Sequence, residues 1–148
     1  MRWLMFLAFA FAPTMADEMV AAHNAVRARL RLPPLAWSNQ LAKAAQEWAN
    51  TLLREGTFHH PSKLPFGQNL LEVFRDEFPP EQVVRAWASE ASQYDYRDNR
   101  CSGMCGHYTQ LVWRDTKEVG CAVVRRGDRE IWVCDYSPPG NYIGQRPY

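Results

Sequence analysis

The sequence predicts an α+β domain, with helices first and strands later. Helical periodicity governs the chain as far as Tyr94, and alternating, β-rich segments cluster from His107 onward. That order argues for a layered α+β architecture and against an alternating βαβ one. The chain has 148 residues, the size of one ordinary domain. Six Trp, six Tyr and seven Phe supply the apolar area for its core. No repeat, low-complexity tract or linker divides it.

The first sixteen residues are expected to be a secretory signal. Arg2 gives a positive start, and Trp3 to Ala12 is an apolar run of ten residues. Thr14-Met15-Ala16 then places small residues where a signal peptidase reads. A run of ten is too short to span a bilayer as a helix, so no transmembrane segment is expected. The competing reading is a buried N-terminal helix or a retained anchor. Cleavage near Ala16–Asp17 leaves 148 − 16 = 132 residues, one domain over 17–148. Removing Arg2 takes Lys+Arg from 17 to 16, against 16 Asp+Glu. The mature chain is therefore formally neutral, with no electrostatic reason to bind nucleic acid or an anionic membrane.

Asp17 to Leu32 reads as a helix with Met19, Ala22, Val26 and Leu30 on one face. Pro33-Pro34 ends it. Ser38 is the expected N-cap of a second helix, with Leu41, Ala45, Trp48 and Leu52 inward and Gly56 as its stop. A loop follows with His59-His60-Pro61 and then Phe66 to Leu70. Pro79-Pro80 opens a third helix, on which Val83, Trp87, Glu90 and Tyr94 share a face. Cys101 to Gly106 is a tight loop. His107 to Trp113 alternates and reads as a strand. Val119–Arg126 and Glu130–Tyr136 read as two further strands, joined at Gly127-Asp128 by a hairpin turn. Ser137 to Tyr148 is a Pro/Gly-rich tail, in which Tyr142 and Tyr148 are candidates for exposure.

The cysteines are Cys101, Cys105, Cys121 and Cys134. An even count behind a signal segment implies two disulfides. A two-residue turn makes facing hairpin positions sum to 126 + 129 = 255, as 121 + 134 also does. Cys121 and Cys134 thus face each other at a non-hydrogen-bonded position, where Cα atoms come closest. Cys101 and Cys105 remain to close a small loop. Their spacing could instead serve a metal, but the second Cys or His pair of a zinc module is missing.

Gly106-His107-Tyr108-Thr109-Gln110-Leu111-Val112-Trp113 resembles the first signature of the CAP superfamily, which groups cysteine-rich secretory proteins, antigen 5 and pathogenesis-related protein 1. Cys134-Asp135-Tyr136-Ser137-Pro138-Pro139-Gly140-Asn141-Tyr142 resembles the second. His23-Asn24 with Arg27, Pro34 to Trp37, Trp48-Ala49, and Trp87 with Glu90 and Tyr94 fit the same template. The tail Gly140 to Tyr148 is similar to the end of plant pathogenesis-related 1 proteins. The resemblance spans nearly all of the mature chain. It implies a three-layer α-β-α sandwich around a mostly antiparallel sheet, and it supports both disulfides. Plant members usually carry a third bridge, for which this chain has no cysteines. In that branch the last eleven residues can be released as a signalling peptide; the matching stretch is Pro138 to Tyr148.

The resemblance also implies a cleft lined by two His and two acidic residues. The matching positions are His60, Gln68, Glu90 and His107, with His60 and His107 as metal ligands. Glu90 lies on an apolar helical face, where an acid needs a partner such as an imidazole. His59 competes with His60 for the cleft position. Gln68 stands where the family usually has Glu, and an amide can neither ionise nor act as a general base. Weak binding of zinc or another divalent cation is therefore expected. Asp135 replaces the usual Asn and is expected to keep a local turn through side-chain-to-backbone bonds.

No Gly-x-Ser-x-Gly elbow and no His-Glu-x-x-His motif is present. The leading expectation is a secreted, monomeric, non-enzymatic protein, periplasmic if the source is bacterial. The resemblance implies that it binds a sterol, another lipid or a small extracellular ligand, with an antimicrobial or defence-type role. One alternative is a metal-dependent hydrolase or protease using His60, His107 and Glu90. Another is a structural or adhesive domain with a vestigial cleft. Arg126-Gly127-Asp128 is an adhesion-like tripeptide but more simply a hairpin tip.

Overall fold

A computed structural model describes residues 11–148 of the protein. Most of the expected signal segment, 1–10, lies outside the described residues. The first helix, α1, is Met15–Arg29, where Asp17 to Leu32 was expected. Its cap explains the earlier start. The Thr14 side chain accepts from the Asp17 N–H, and the Asp17 carboxylate accepts from the Thr14 N–H. The expected cleavage bond, Ala16–Asp17, thus falls within the first turn.

The remaining elements are β1 (Ala36–Trp37), α2 (Asn39–Glu55), β2 (Gly67–Phe74), α3 (Pro80–Ala88), a 3-10 turn (Ser89–Gln93), β3 (Tyr94–Asp95), β4 (Arg100–Cys101), α4 (Gly106–Leu111), β5 (Glu118–Arg126) and β6 (Arg129–Ser137). Helix α2 has the expected ends: Ser38 accepts from the Leu41 N–H, and Gly56 closes the helix in the left-handed conformation. The main sheet has the order β1-β5-β6-β2. Only β1 and β5 are parallel within it. Its β2 strand begins inside a segment expected to be loop. Strands β3 and β4 form a separate pair.

The layers follow from which side chains the sheet sends each way. Ala122, Ile131 and Val133 pack with Ala45, Ala49 and Leu52 of α2. Trp132, Cys134 and Tyr136 pack with Met19 of α1, Trp87 of α3 and Leu111 of α4. Alternation along β6 therefore builds two cores, one per sheet face. Gly120 permits the α2 contact: a Cβ there would lie 2.2 Å from the Ala42 nitrogen. The hairpin register pairs Cys121 with Cys134 as derived, and they are bridged with Cα atoms 4.1 Å apart. Cys101 and Cys105 form the second bridge, which removes the metal reading of that pair.

Two expectations need correction. His107 to Trp113 is not a strand; its first part is helix α4. Tyr108, Leu111 and Val112 are buried at i, i+3, i+4 spacing, and that period wins over the alternation. Six residues make a marginal helix alone, so its ends depend on distant partners. Glu90 accepts the Tyr108 N–H at one end, and Arg27 donates to the Leu111 and Trp113 carbonyls at the other.

The buried face of α1 is also different. Met19, His23 and Arg27 are fully buried, while Ala22, Val26 and Leu30 are only partly so. Two polar side chains can occupy the core because every group on them is satisfied. His23 Nδ1–H donates to the Met19 carbonyl, so Nε2 accepts from the Tyr136 hydroxyl. Burial lowers the His23 pKa to about 4 and keeps the ring neutral. Arg27 donates to five carbonyls: Pro33, Leu111, Trp113, Arg114 and Thr116. Burial lowers its pKa to about 10, which still leaves it a cation at neutral pH.

Candidate functional site

His107 sits in the first turn of α4, held there by the neighbouring disulfide and by Glu90. Its Nδ1 donates to Glu90 Oε1 at 2.6 Å, while Glu90 Oε2 accepts the Tyr108 N–H at 2.9 Å. Both carboxylate oxygens are engaged, and Glu90 is 8% exposed. The Glu90 side chain thus orients the ring and caps the helix that carries it. Trp87 stacks on His107, with centroids 6.2 Å apart and planes inclined by 10°. Asn69 donates to the His107 carbonyl and to the Tyr136 hydroxyl. The His107 ring is held by Glu90 and Trp87 and its backbone by Asn69, with Nε2 left over to meet a ligand.

The other half is built differently. His60 lies in the loop before β2, and its Nδ1 is 2.8 Å from Gln68 Oε1. Gln68 Nε2 donates to Asp135 Oδ1, also at 2.8 Å. Gln68 and Asp135 are direct cross-strand partners on β2 and β6. The two departures from the family pattern therefore meet in one hydrogen bond. Asp135 is completely buried, and its Oδ2 has no partner among the described residues. Burial raises its pKa to about 7, against the lowering effect of Gln68. The expectation that Asp135 keeps a turn is corrected: it is a strand residue bonded to a side chain, not to the backbone. His59 has another place. Its Nδ1 is bonded to the His60 carbonyl, and its ring meets Trp48 edge-on.

The four cleft positions thus form two pairs, Glu90–His107 and His60–Gln68. The link between them is the neighbouring residues Gln68 and Asn69, whose side chains reach Asp135 and the His107 carbonyl respectively. Among the described residues, no three His, Cys, Asp or Glu side chains are grouped to hold a metal ion. Two imidazoles with their Nδ1–H groups engaged by the protein are suitable donors in kind. They are fewer than the three protein ligands usual in a catalytic zinc site.

A separate groove of about 520 Å3 runs between α1 and α3. Ala22, Ala25, Val26 and Val84 give it an apolar lining, with Arg29 and Arg85 among its charged members. Sequence periodicity missed this feature because it assigned Ala22 and Val26 to the core. The tail is docked. Pro147 is buried and its carbonyl accepts from the Arg114 N–H. Tyr148 stacks on Tyr96, whereas Tyr142 is exposed as expected. Asn141 bonds Thr109 and the Gly106 carbonyl of α4. Arg126-Gly127-Asp128 forms the exposed hairpin tip.

Among the described residues no helix is long and apolar enough to cross a membrane. Two disulfides and no free cysteine fit an oxidising compartment. Residues 20–136 match the model of the Cysteine-rich secretory protein family. The basic form of pathogenesis-related protein 1 from Nicotiana tabacum is 40% identical over 134 residues, 89% of this chain and 75% of the relative. Pathogenesis-related protein 1 of Arabidopsis thaliana is 40% identical over 133 residues, 89% of this chain and 81% of the relative. Among solved structures, venom allergen-like protein 4 of Schistosoma mansoni superposes with a TM-score of 0.77 at 25% identity, covering 93% of this chain and 95% of that one. With its fold, its two bridges and both signatures in place, the chain belongs to the Cysteine-rich secretory protein (CAP) family, in the pathogenesis-related protein 1 branch.

Proposed function

We propose that this protein is a secreted, non-enzymatic lipid binder with a defence-type role. The observation that carries the reading is the groove between α1 and α3. Its size lies within the range of roughly 300–1,000 Å3 usual for small-molecule sites. Small and aliphatic side chains suit an acyl or sterol body, and Arg29 suits an anionic head group, while Arg85 is paired with Glu81 on the same rim. Secretion rests on the signal-like start and the two bridges. The defence role rests on likeness to pathogenesis-related proteins alone.

The cleft is a secondary element of this reading. When bound, a divalent cation would act as a Lewis acid held by His60 and His107. Glu90 and Gln68 orient those rings, and both Glu90 oxygens are already engaged, by His107 and by the Tyr108 N–H. That arrangement favours binding over hydrolysis. To test the lipid reading, titrate fatty acid and cholesterol into wild type and Ala25→Trp, a change on the exposed wall of the groove. Saturable binding that weakens at least tenfold in the variant is expected. No saturable binding, or equal binding by both proteins, overturns it.

A further inference from the structure

We infer that Asp135 is a positioning residue for His60, acting through Gln68 to fix which ring nitrogen the imidazole offers to the cleft. The argument is one of donors and acceptors. Once ionised, the Asp135 carboxylate only accepts, so the Gln68 group facing it is the NH2. The Gln68 carbonyl then faces His60, and a carbonyl also only accepts. His60 therefore meets it with Nδ1–H, which leaves the lone pair on Nε2. Glu90 imposes the same tautomer on His107 by direct contact. The two halves present Nε2 by different means, one through a carboxylate and one through a carboxylate and an amide in series.

A purely structural role does not explain Asp135 well. It is fully buried, no cation is bonded to it among the described residues, and Oδ2 has no partner. Asn would fill the same space without a buried charge. What Asn cannot do is dictate the direction of Gln68, because an amide offers both a donor and an acceptor.

The tautomer is read without any ligand, so failure of lipid or metal binding leaves this inference intact. The experiment records ring nitrogen shifts of His60 by NMR at about pH 8, where an ordinary imidazole is neutral. Wild type is expected to carry the proton on Nδ1. Asp135→Asn is expected to become a mixture in which Nε2–H makes up at least a third. The exchanged pair Gln68→Glu/Asp135→Asn is expected to restore Nδ1–H, since the new carboxylate accepts from the ring and from the new amide. A wild-type ring protonated on Nε2 overturns the inference, as does a single variant that keeps Nδ1–H. Should Asp135→Asn fail to fold, wild type and the exchanged pair decide: Nε2–H in either sinks the proposal.

Discussion

The two histidine pairs, Glu90–His107 and His60–Gln68, differ in how firmly they are held. Trp87 stacks on the His107 ring, and both Glu90 carboxylate oxygens are bonded. His60 is exposed, Gln68 is half-buried, and the acid behind them has an oxygen with no partner among the described residues. One half is part of the fold: its acid caps α4 and its ring is stacked. The other hangs from a loop and is steered from inside the sheet. An acid that caps a helix stabilises it, whereas a buried acid with one hydrogen bond destabilises the native state.

That contrast can be broken by substitution. Glu90→Ala removes the ring's partner and strands a buried N–H on α4. It is expected to cost about 3 kcal/mol in chemical unfolding. A loss below about 1 kcal/mol would mean that α4 does not depend on this cap.

Asp135→Asn should act in the opposite direction, by an amount that grows as pH rises from about 4 to about 7. The Asp135 carboxyl titrates at about 7 in the native state, against an ordinary 3.8. Native protein therefore holds a proton that unfolded protein has lost, and stability falls as pH rises between these values. The variant is expected to be more stable than wild type by up to a few kcal/mol at about pH 8, and equal to it at about pH 4. His23 gives the reverse slope. Its native value of about 4 lies below the ordinary 6.5, so stability falls as pH drops through that window. Wild type is thus expected to have a shallow profile across the window. Asp135→Asn should keep only the His23 slope, rising with pH. An unchanged profile would place Asp135 outside the titrating groups. The smallest effect belongs to His60→Ala, at most about 0.5 kcal/mol, because the ring is exposed. A larger loss would show that the loop half is also part of the fold.

Much of this was legible in the chain. The Cys121–Cys134 bridge followed from one turn and a sum, since an antiparallel register is arithmetic once the loop length is known. Caps named the ends of α2. The β2 strand was not legible, because Gly67 to Leu70 lacks clear alternation. Helix α4 was misread because its ends are satisfied by Glu90 and Arg27, both distant in sequence. Local periodicity carries no record of such partners.

Residue identity and spacing alone determined the family and the two bridges. These are properties of short range or of motif, and each residue type carries them wherever it lies. Only the tertiary structure decided that His23 and Arg27 go inside, that Ala22 and Val26 border a groove, and that Gln68 faces Asp135. Each depends on partners brought by another element. A buried polar group is tolerated only when those partners arrive, and no window of sequence holds both sides of that contact.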